Sequence, residues 1–173
     1  MRGERVRRPA DPDRSALSIR SAVSADLETV VALRLALVHE HGGNEIYRRL
    51  RADAPERARQ LFATQLASRS EITLLAERDG DPAGILRCVE TAGSPLLYPS
   101  HFGYVSSVYV VPRMRRLGVL RALLARAESW CHDRGIGELR LHNASDNDVA
   151  NRTWQSLGFE PVELLRMRRL DRS

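Results

Sequence analysis

A basic turn in the second half of the chain carries residue types that bind anions. An apolar, β-branched run stops at Pro112, the pair Arg115 and Arg116 follows, and Gly118 precedes a helical pattern. The first N–H groups of a helix have no partner inside the helix, and the helix dipole places positive charge there. With Arg121 as a further cation, this arrangement favours a bound phosphate. It lacks the glycine-lysine-serine/threonine pattern of a nucleotide P-loop and the three-glycine dinucleotide fingerprint.

A second motif lies further along the chain. It consists of Asn147, Ala150, Trp154 and the pair Gly158-Phe159. Together with the turn, it resembles the motifs of the GCN5-related N-acetyltransferase (GNAT) family. The turn of that family reads Gln or Arg, two residues, Gly, one residue, then Gly or Ala. Its second motif has Asn, Ala three residues on, Tyr four further, and Gly-Phe at the end. Two motifs at the family's spacing form a more specific signal than either one alone.

The resemblance implies that the anion is the pyrophosphate of acetyl-coenzyme A (acetyl-CoA). Backbone N–H groups of the turn would bind it, and the pantetheine arm would lie beside the preceding strand like an extra strand. Asn147 would orient the arm with its amide, cap a helix, or do both. The implied cofactor-binding residues are Val108, Tyr109, Val110, Arg115, Arg116, Leu117, Gly118, Val119, Leu120, Arg121, Asn147 and Trp154.

Two positions depart from the family pattern. Leu120 stands where Gly or Ala lets phosphates approach the helix, so we expect weaker cofactor binding unless its side chain turns into the core. Trp154 stands where the family usually has the Tyr that acts as a general acid. An indole N–H can donate a hydrogen bond to the leaving sulfur but cannot usefully release a proton. The alternative role of Trp154 is to pack a helix against the sheet.

The implied reaction is direct attack of an amine on the acetyl thioester, for which a base must take a proton. The catalytic candidates are Glu90 and His142, both near strand ends, together with Trp154. His101 is a further candidate base. Each of these is also an ordinary strand-end or surface residue type, and a water relay would leave no trace in the sequence.

The acceptor is expected to bind among loops 39–47 and 93–102 and the C-terminal strand. The substrate-binding candidates are His39, Glu40, Glu45 and Tyr104, and the carboxylates among them suit a cationic amine. The alternative is that loop 39–47 is a solvated turn between helices. The His-Glu-His run at 39–41 does not predict a metal site, because side chains two apart on a helix diverge and no third ligand stands at metal spacing.

Composition limits the partners of this chain. Its 173 residues predict one domain at 15–173, preceded by a charged, proline-containing arm at 1–14 that we expect to be disordered. All 27 basic residues are arginine, and the formal net charge is +5. No basic stripe interleaved with aromatics is present, so we do not expect nucleic acid as a partner. We find no secretory signal and no membrane span, and we expect a cytoplasmic protein. The resemblance also implies a homodimer.

Apolar periodicity predicts the element order β-α-α-β-β-β-α-β-α-β. Ser24 is the expected cap of the first helix, Pro55 opens the second, and residues 79–81 form a hairpin turn. The resemblance adds the fold class: a single α/β (α+β) domain with a mixed, mostly antiparallel central sheet, flanking helices and splayed central strands. The predicted strands are 17–20, 72–77, 83–91, 104–111, 138–142 and 162–170.

The sequence therefore favours an acetyl-CoA-dependent N-acetyltransferase. The acceptor would be a primary amine of a small molecule or a peptide, attacking directly in a ternary complex. The alternative is a catalytically weak acetyl-CoA-binding sensor or partner module, a hypothesis that rests on Leu120 and Trp154.

Overall fold

A computed structural model describes residues 17–170 of the chain. Its five strands form one sheet in sequence order. The pairs β1–β2, β2–β3 and β3–β4 are antiparallel, and β4–β5 is parallel. The strands are β1 Leu17–Ser21, β2 Glu71–Arg78, β3 Asp81–Ala92, β4 His101–Val110 and β5 Leu139–Leu141. The predicted mixed, mostly antiparallel sheet is confirmed, while the predicted arm at 1–14 lies outside the described residues.

Four α-helices occur in the described part of the chain: α1 Leu27–Glu40, α2 Ala54–Leu66, α3 Val119–His132 and α4 Asp148–Ser156. The chain divides into two compact units, one ending at Leu141 and one beginning at His142. The first holds the sheet with α1, α2 and α3, and the second holds α4 and the segment after it. Within residues 17–170, no helix is both long and apolar enough to cross a membrane.

The core of the first unit lies on both faces of the sheet. On one face, Val30 and Val31 of α1 and Phe62 of α2 form a cluster with Leu75 and Ile85 of the sheet. On the other face α3 packs against β2 and β3. Its buried positions, three or four residues apart, are those that an amphipathic helix turns toward a sheet: Val119, Leu123, Leu124, Ala127, Trp130 and Cys131. The helices thus fix which residues of each strand face which side.

A bulge interrupts β4 in its middle. Arg87 of β3 pairs with Ser106, whereas Ile85 pairs with Tyr109, so two β4 residues stand opposite one β3 residue. Ser107 takes a left-handed φ of 52°, a conformation that costs a non-glycine residue energy and that the surrounding structure must enforce. Because of the bulge, Tyr104, Ser106 and Tyr109 all face the side of α1 and α2.

Beyond the bulge, β4 loses its neighbour on one side. The β4–β5 ladder covers only Gly103–Val105 against Leu139–Leu141. In the part of the chain that the structure describes, no strand pairs with residues 106–110 on that edge. The free edge agrees with the expected splaying of the central strands, and it leaves backbone groups available to a ligand.

Two expectations about the elements are wrong. Ser24 does not cap α1, because it begins a short 3-10 turn, Ser24–Asp26. Asp26 accepts from the backbone N–H of Val23 at 2.8 Å and thus closes this turn instead. Residues 162–170 do not form a strand: they are exposed and carry no regular secondary structure. Apolar residues alone do not make a strand, because a strand also needs a ladder of backbone hydrogen bonds to a neighbouring strand.

Candidate functional site

The turn between β4 and α3 has the backbone geometry of an anion-binding loop. A 3-10 turn, Pro112–Met114, ends β4, and then Arg116 and Gly118 take left-handed φ angles of 64° and 83°. Gly118 is the N-cap of α3, and an added Cβ there would meet no atom within 4 Å. The glycine therefore serves the backbone conformation and leaves open space outside the turn.

The N–H groups of this turn are free. The backbone N–H of Ala122 makes the first helical bond, to the Gly118 carbonyl at 3.0 Å. No residue from 17 to 170 accepts a hydrogen bond from the N–H groups of residues 116–121. Adjacent N–H donors at the positive end of a helix form a concave anion site. The pyrophosphate of acetyl-CoA fits this donor set, and the free β4 edge beside it suits the amides of a pantetheine arm.

The Arg115 side chain makes contacts within the protein that hold the turn in place, so its charge is already paired. Its Nε donates to the Val110 carbonyl at 3.0 Å, and its Nη2 donates to the Glu40 carboxylate. Its guanidinium also lies 5.9 Å from the centre of the Tyr109 ring. Glu40, a predicted substrate-binding residue, thus joins the end of α1 to the turn. The side chains of Arg116 and Arg121 are exposed.

Leu120 lies at the second position of α3 and is half-buried. The residue that enters the core from this turn is Val119, which is 1% exposed. The buried positions of α3 therefore begin at Val119 and not at Leu120. Leu120 is only partly withdrawn from the surface that carries the free N–H groups, so its predicted weakening of cofactor binding stands as a prediction.

A polar cluster lies on the α1 and α2 face of the sheet. Arg87 in β3 forms an ion pair with Glu71 in β2, and the two side chains are 18% and 10% exposed. Arg87 also donates to the Ser106 hydroxyl at 3.2 Å. Tyr104 stands two residues before Ser106 on the same face of β4. This polar set therefore borders the β4 bulge.

Electrostatic coupling links this cluster to α1 and to the segment after it. Burial raises the pKa of Tyr104, and the nearby phenol of Tyr47 adds to the rise, so Tyr104 stays protonated near neutral pH. Burial lowers the pKa of Arg34 in α1, and the charge of Arg87 adds to the fall. Arg34, Tyr47, Arg87 and Tyr104 therefore share one environment above the sheet.

A cavity of about 310 Å³ opens between α1, α2 and the segment that joins them. Arg34 and Tyr47 line it, so it adjoins the polar cluster. Apolar side chains supply much of the remaining wall, among them Leu35, Val38 and Phe62. A partly apolar recess with a few polar groups at this volume is typical of small-molecule sites.

The remaining candidates of the first unit lie apart from this cavity. His39 is exposed at the end of α1, and Glu45 forms an ion pair with Arg48 at 2.9 Å. Glu90 is exposed and follows Cys88 on the α3 face of β3, where its charge acts on Cys131. That is the opposite face from Tyr104. The role of Glu90 as a base stays a prediction, which this placement does not favour.

Three candidates belong to the second unit. Asn147 caps α4, with its side-chain oxygen accepting from the Ala150 N–H at 3.0 Å, as expected for a cap. Trp154 packs edge-on against Phe159, with ring centres 5.3 Å apart. His142 is exposed. Their roles toward a cofactor or in catalysis stay predictions. No cluster of potential metal ligands occurs among residues 17–170.

Sequence analysis placed Tyr47 in a predicted acceptor loop, but it did not single out four other residues of the cavity and the cluster. Arg87 gave a signal, because it interrupts the apolar run of a buried strand, where an arginine needs a partner. Its partner follows only from the register of the β2–β3 hairpin. The other three residues gave no comparable signal: Arg34, Glu71 and Ser106.

The mixed sheet, bulged strand and open helix N-terminus define an α/β domain built to bind an anionic ligand at one sheet edge. A family profile described as Acetyltransferase (GNAT) family matches residues 41–159. The chain belongs to this family and is an N-acetyltransferase, which confirms the prediction from its motifs.

Relatives named as aminoglycoside acetyltransferases match this chain over different lengths. An aminoglycoside N(6')-acetyltransferase type 1 from Stenotrophomonas maltophilia is 28% identical over 153 residues, which cover 86% of this chain and 90% of the relative. A protein of the same name from Acinetobacter haemolyticus is 34% identical over 64 residues, covering 37% of this chain and 44% of the relative.

Solved structures share the fold. A predicted acetyltransferase from Clostridium acetobutylicum, solved with acetyl-CoA, has a TM-score of 0.74 at 19% identity and covers 88% of this chain and 96% of its own. AAC(6')-Iy in complex with a bisubstrate analogue, CoA-S-monomethyl-acetylneamine, has a TM-score of 0.72 at 21% identity, with coverages of 91% and 99%. The CoA-type ligands of these structures agree with the expected acetyl-CoA.

Proposed function

We propose that this protein transfers an acetyl group from acetyl-CoA to a primary amine of a small molecule, by direct attack in a ternary complex. The observation that carries the proposal is the row of free N–H groups at residues 116–121 beside the unpaired edge of β4. Anion binding and an open strand edge together match a ligand with a pyrophosphate and an amide-containing arm.

Specific residues would hold the two parts of acetyl-CoA. The N–H groups of residues 116–121 would bind the pyrophosphate, and the exposed side chains of Arg116 and Arg121 would add charge. The edge at Val108 and Val110 would pair with the pantetheine amides. Leu120→Gly is expected to tighten acetyl-CoA binding, because it removes a half-buried side chain next to these donors. Weaker or unchanged binding would show that Leu120 does not limit the site.

Acetyl-CoA supplies an activated acetyl thioester. A backbone N–H near Val110 can donate a hydrogen bond to a carbonyl oxygen placed at this edge. Tyr104, whose pKa is raised, can donate from its phenol but is a poor base near neutral pH. Glu90, His142 and Trp154 stay the proposed participants in proton transfer or sulfur stabilisation.

The relatives named aminoglycoside N(6')-acetyltransferases support a small-molecule acceptor. The cavity of about 310 Å³ beside the polar cluster also supports it, because this volume suits a small ligand. A cytoplasmic location and a homodimer are further proposals. Size-exclusion chromatography with light scattering measures the dimer directly.

The test is turnover with a panel of primary amines that includes an aminoglycoside. Release of the free CoA thiol is followed together with the mass of the acetylated product. We expect amine-dependent thiol release, and Arg121→Ala is expected to raise the KM for acetyl-CoA. Arg126→Ala, an exposed arginine further along α3, serves as the matched control. Acetyl-CoA binding without turnover of any amine would support the sensor alternative.

A further inference from the structure

The cavity between α1 and α2 is rich in positive charge. Four arginines line it, and among the residues that the structure describes no acidic side chain lines it. They are Arg34, Arg49, Arg51 and Arg57. A recess with this lining repels a polycation and attracts an anion, because its partly apolar walls weaken solvent screening.

Two of these arginines share one carboxylate. The carboxylate of Asp53 accepts from Arg51 at 2.8 Å and from Arg57 at 2.7 Å. Within residues 17–170, no carboxylate forms an ion pair with Arg34 or Arg49. Among the described residues, Arg34 and Arg49 are therefore the two lining arginines without a carboxylate partner.

Of Arg34 and Arg49, Arg34 is the one whose charged form an anionic ligand would stabilise more. It is half-buried, and its burial lowers its pKa, which shows that its charged form is poorly solvated. The phenol of Tyr47 opposes this fall in pKa, and the charge of Arg87 on the sheet, a second cation that is already paired with Glu71, adds to it. A guanidinium in this position gains from a carboxylate, which it can bind through two parallel hydrogen bonds.

Electrostatic coupling links the cavity to β4, the strand whose edge is proposed for the acetyl donor. Tyr47 lines the cavity, and its phenol contributes to the raised pKa of Tyr104 on β4. Tyr104 precedes the bulge from which the open edge runs to Val110. A ligand held at Arg34 can therefore extend an amine toward this edge.

We propose that the acceptor amine carries a carboxylate on an apolar body, with the carboxylate bound by Arg34 and Arg49. The inference rests on the proposed acetyl transfer and narrows its substrate class. The apolar body contacts the wall formed by residues such as Leu35, Val38 and Phe62. The chemistry is that of an amino acid with an apolar chain, and a polycationic amine is a poor acceptor.

Matched amines with and without a carboxylate test this inference. The pairs are phenylalanine with phenethylamine, leucine with 3-methylbutylamine, and 6-aminohexanoate with hexylamine. Spermidine is the polycationic probe, and 2-aminoethylphosphonate compared with β-alanine distinguishes a phosphonate from a carboxylate. Each kcat/KM is measured by thiol release at saturating acetyl-CoA. We expect the acid to be preferred about tenfold or more in at least one pair, as is typical of a hydrogen-bonded charge pair.

Variants connect the preference to Arg34. Arg34→Gln is expected to bring the ratio of kcat/KM for the acid to kcat/KM for the matched amine within about twofold of one. Arg34→Lys is expected to restore part of the preference, because lysine returns the charge without the bidentate geometry. Arg59→Gln is the matched control, since Arg59 lies on α2 outside the cavity and pairs with Glu28 and Glu56. Titration with acetyl-CoA reports whether each variant is folded, and Arg49→Gln replaces Arg34→Gln should the latter fail to fold.

The outcomes separate the inference from the function on which it rests. Turnover of simple amines or spermidine with no preference for any acid overturns the carboxylate site and leaves the acetyltransferase function standing. A preference that survives in Arg34→Gln and Arg49→Gln also overturns it. A preference for the phosphonate over β-alanine overturns the carboxylate assignment. No turnover of any probe, with acetyl-CoA bound, contradicts the proposed function itself.

Discussion

Breaking the ion pair between Glu71 and Arg87 is expected to lower the free energy of unfolding. Glu71→Gln removes one charge and leaves the Arg87 guanidinium, 18% exposed, facing a neutral amide. Breaking a fully buried pair in this way costs about 3–5 kcal/mol, and breaking an exposed one costs less than about 1 kcal/mol. Since neither partner is fully buried, we expect a loss of about 2–3 kcal/mol. For a chain of this length, that lowers the Tm by roughly 5–10 °C.

Urea unfolding followed by circular dichroism measures this loss. Arg87→Met alone and the double variant with Glu71→Gln complete a double-mutant cycle, in which we expect a coupling of at least about 1 kcal/mol. Glu56→Gln is the control, because its pair with Arg59 has partners that are 70% and 41% exposed. A destabilisation by Glu71→Gln no larger than that of Glu56→Gln would refute the argument that burial makes this pair matter.

Three further predictions concern the backbone, pH and thiols. Gly118→Ala is expected to lose about 1 kcal/mol of stability in urea unfolding, because an alanine is strained at the left-handed φ of 83°. Gly137→Ala is the control and should keep its stability, because Gly137 has open space around it and no such φ. Arg20 lowers the pKa of Asp26 to about 2. The pair therefore contributes roughly 1 kcal/mol of stability above the ordinary carboxyl pKa, and this contribution is lost as the pH falls through 2. In acid titrations, the difference in stability between wild type and Asp26→Asn should close over that pH window. Burial raises the pKa of both Cys88 and Cys131, so Ellman's reagent should label them only on unfolding; fast native labelling would contradict their burial.

Local signals predicted the conformation of the turn that is proposed to bind the anion. Pro112 ends a strand, and Gly118 supplies the left-handed residue at the helix start. Both are properties of single residues in short segments, so they are visible without the rest of the fold. The same holds for Asn147, whose side chain caps α4 as predicted.

Features that need a partner could not be found in this way. The bulge at Ser107 depends on how β4 is held between its neighbours. Serine has no conformational preference for the left-handed region that would predict the bulge from the sequence. Residues 162–170 have the apolar content of a strand, but pairing is a property of two segments and not of one. Arg34 comes within electrostatic reach of Tyr47 and Arg87 only after α1 has packed on the sheet, so no spacing in the sequence reveals this environment.

The most direct test of the proposed site is a calorimetric comparison of acetyl-CoA with acetyl-pantetheine, which lacks the pyrophosphate and the adenosine 3′-phosphate joined to it. If the N–H groups of residues 116–121 hold the pyrophosphate, acetyl-CoA binds with a Kd of about 1–100 μM, the range typical of enzyme substrates, and acetyl-pantetheine binds at least about tenfold more weakly. Equal affinities for the two ligands, or no binding of acetyl-CoA at about 1 mM, would contradict the assignment of this turn as the pyrophosphate site.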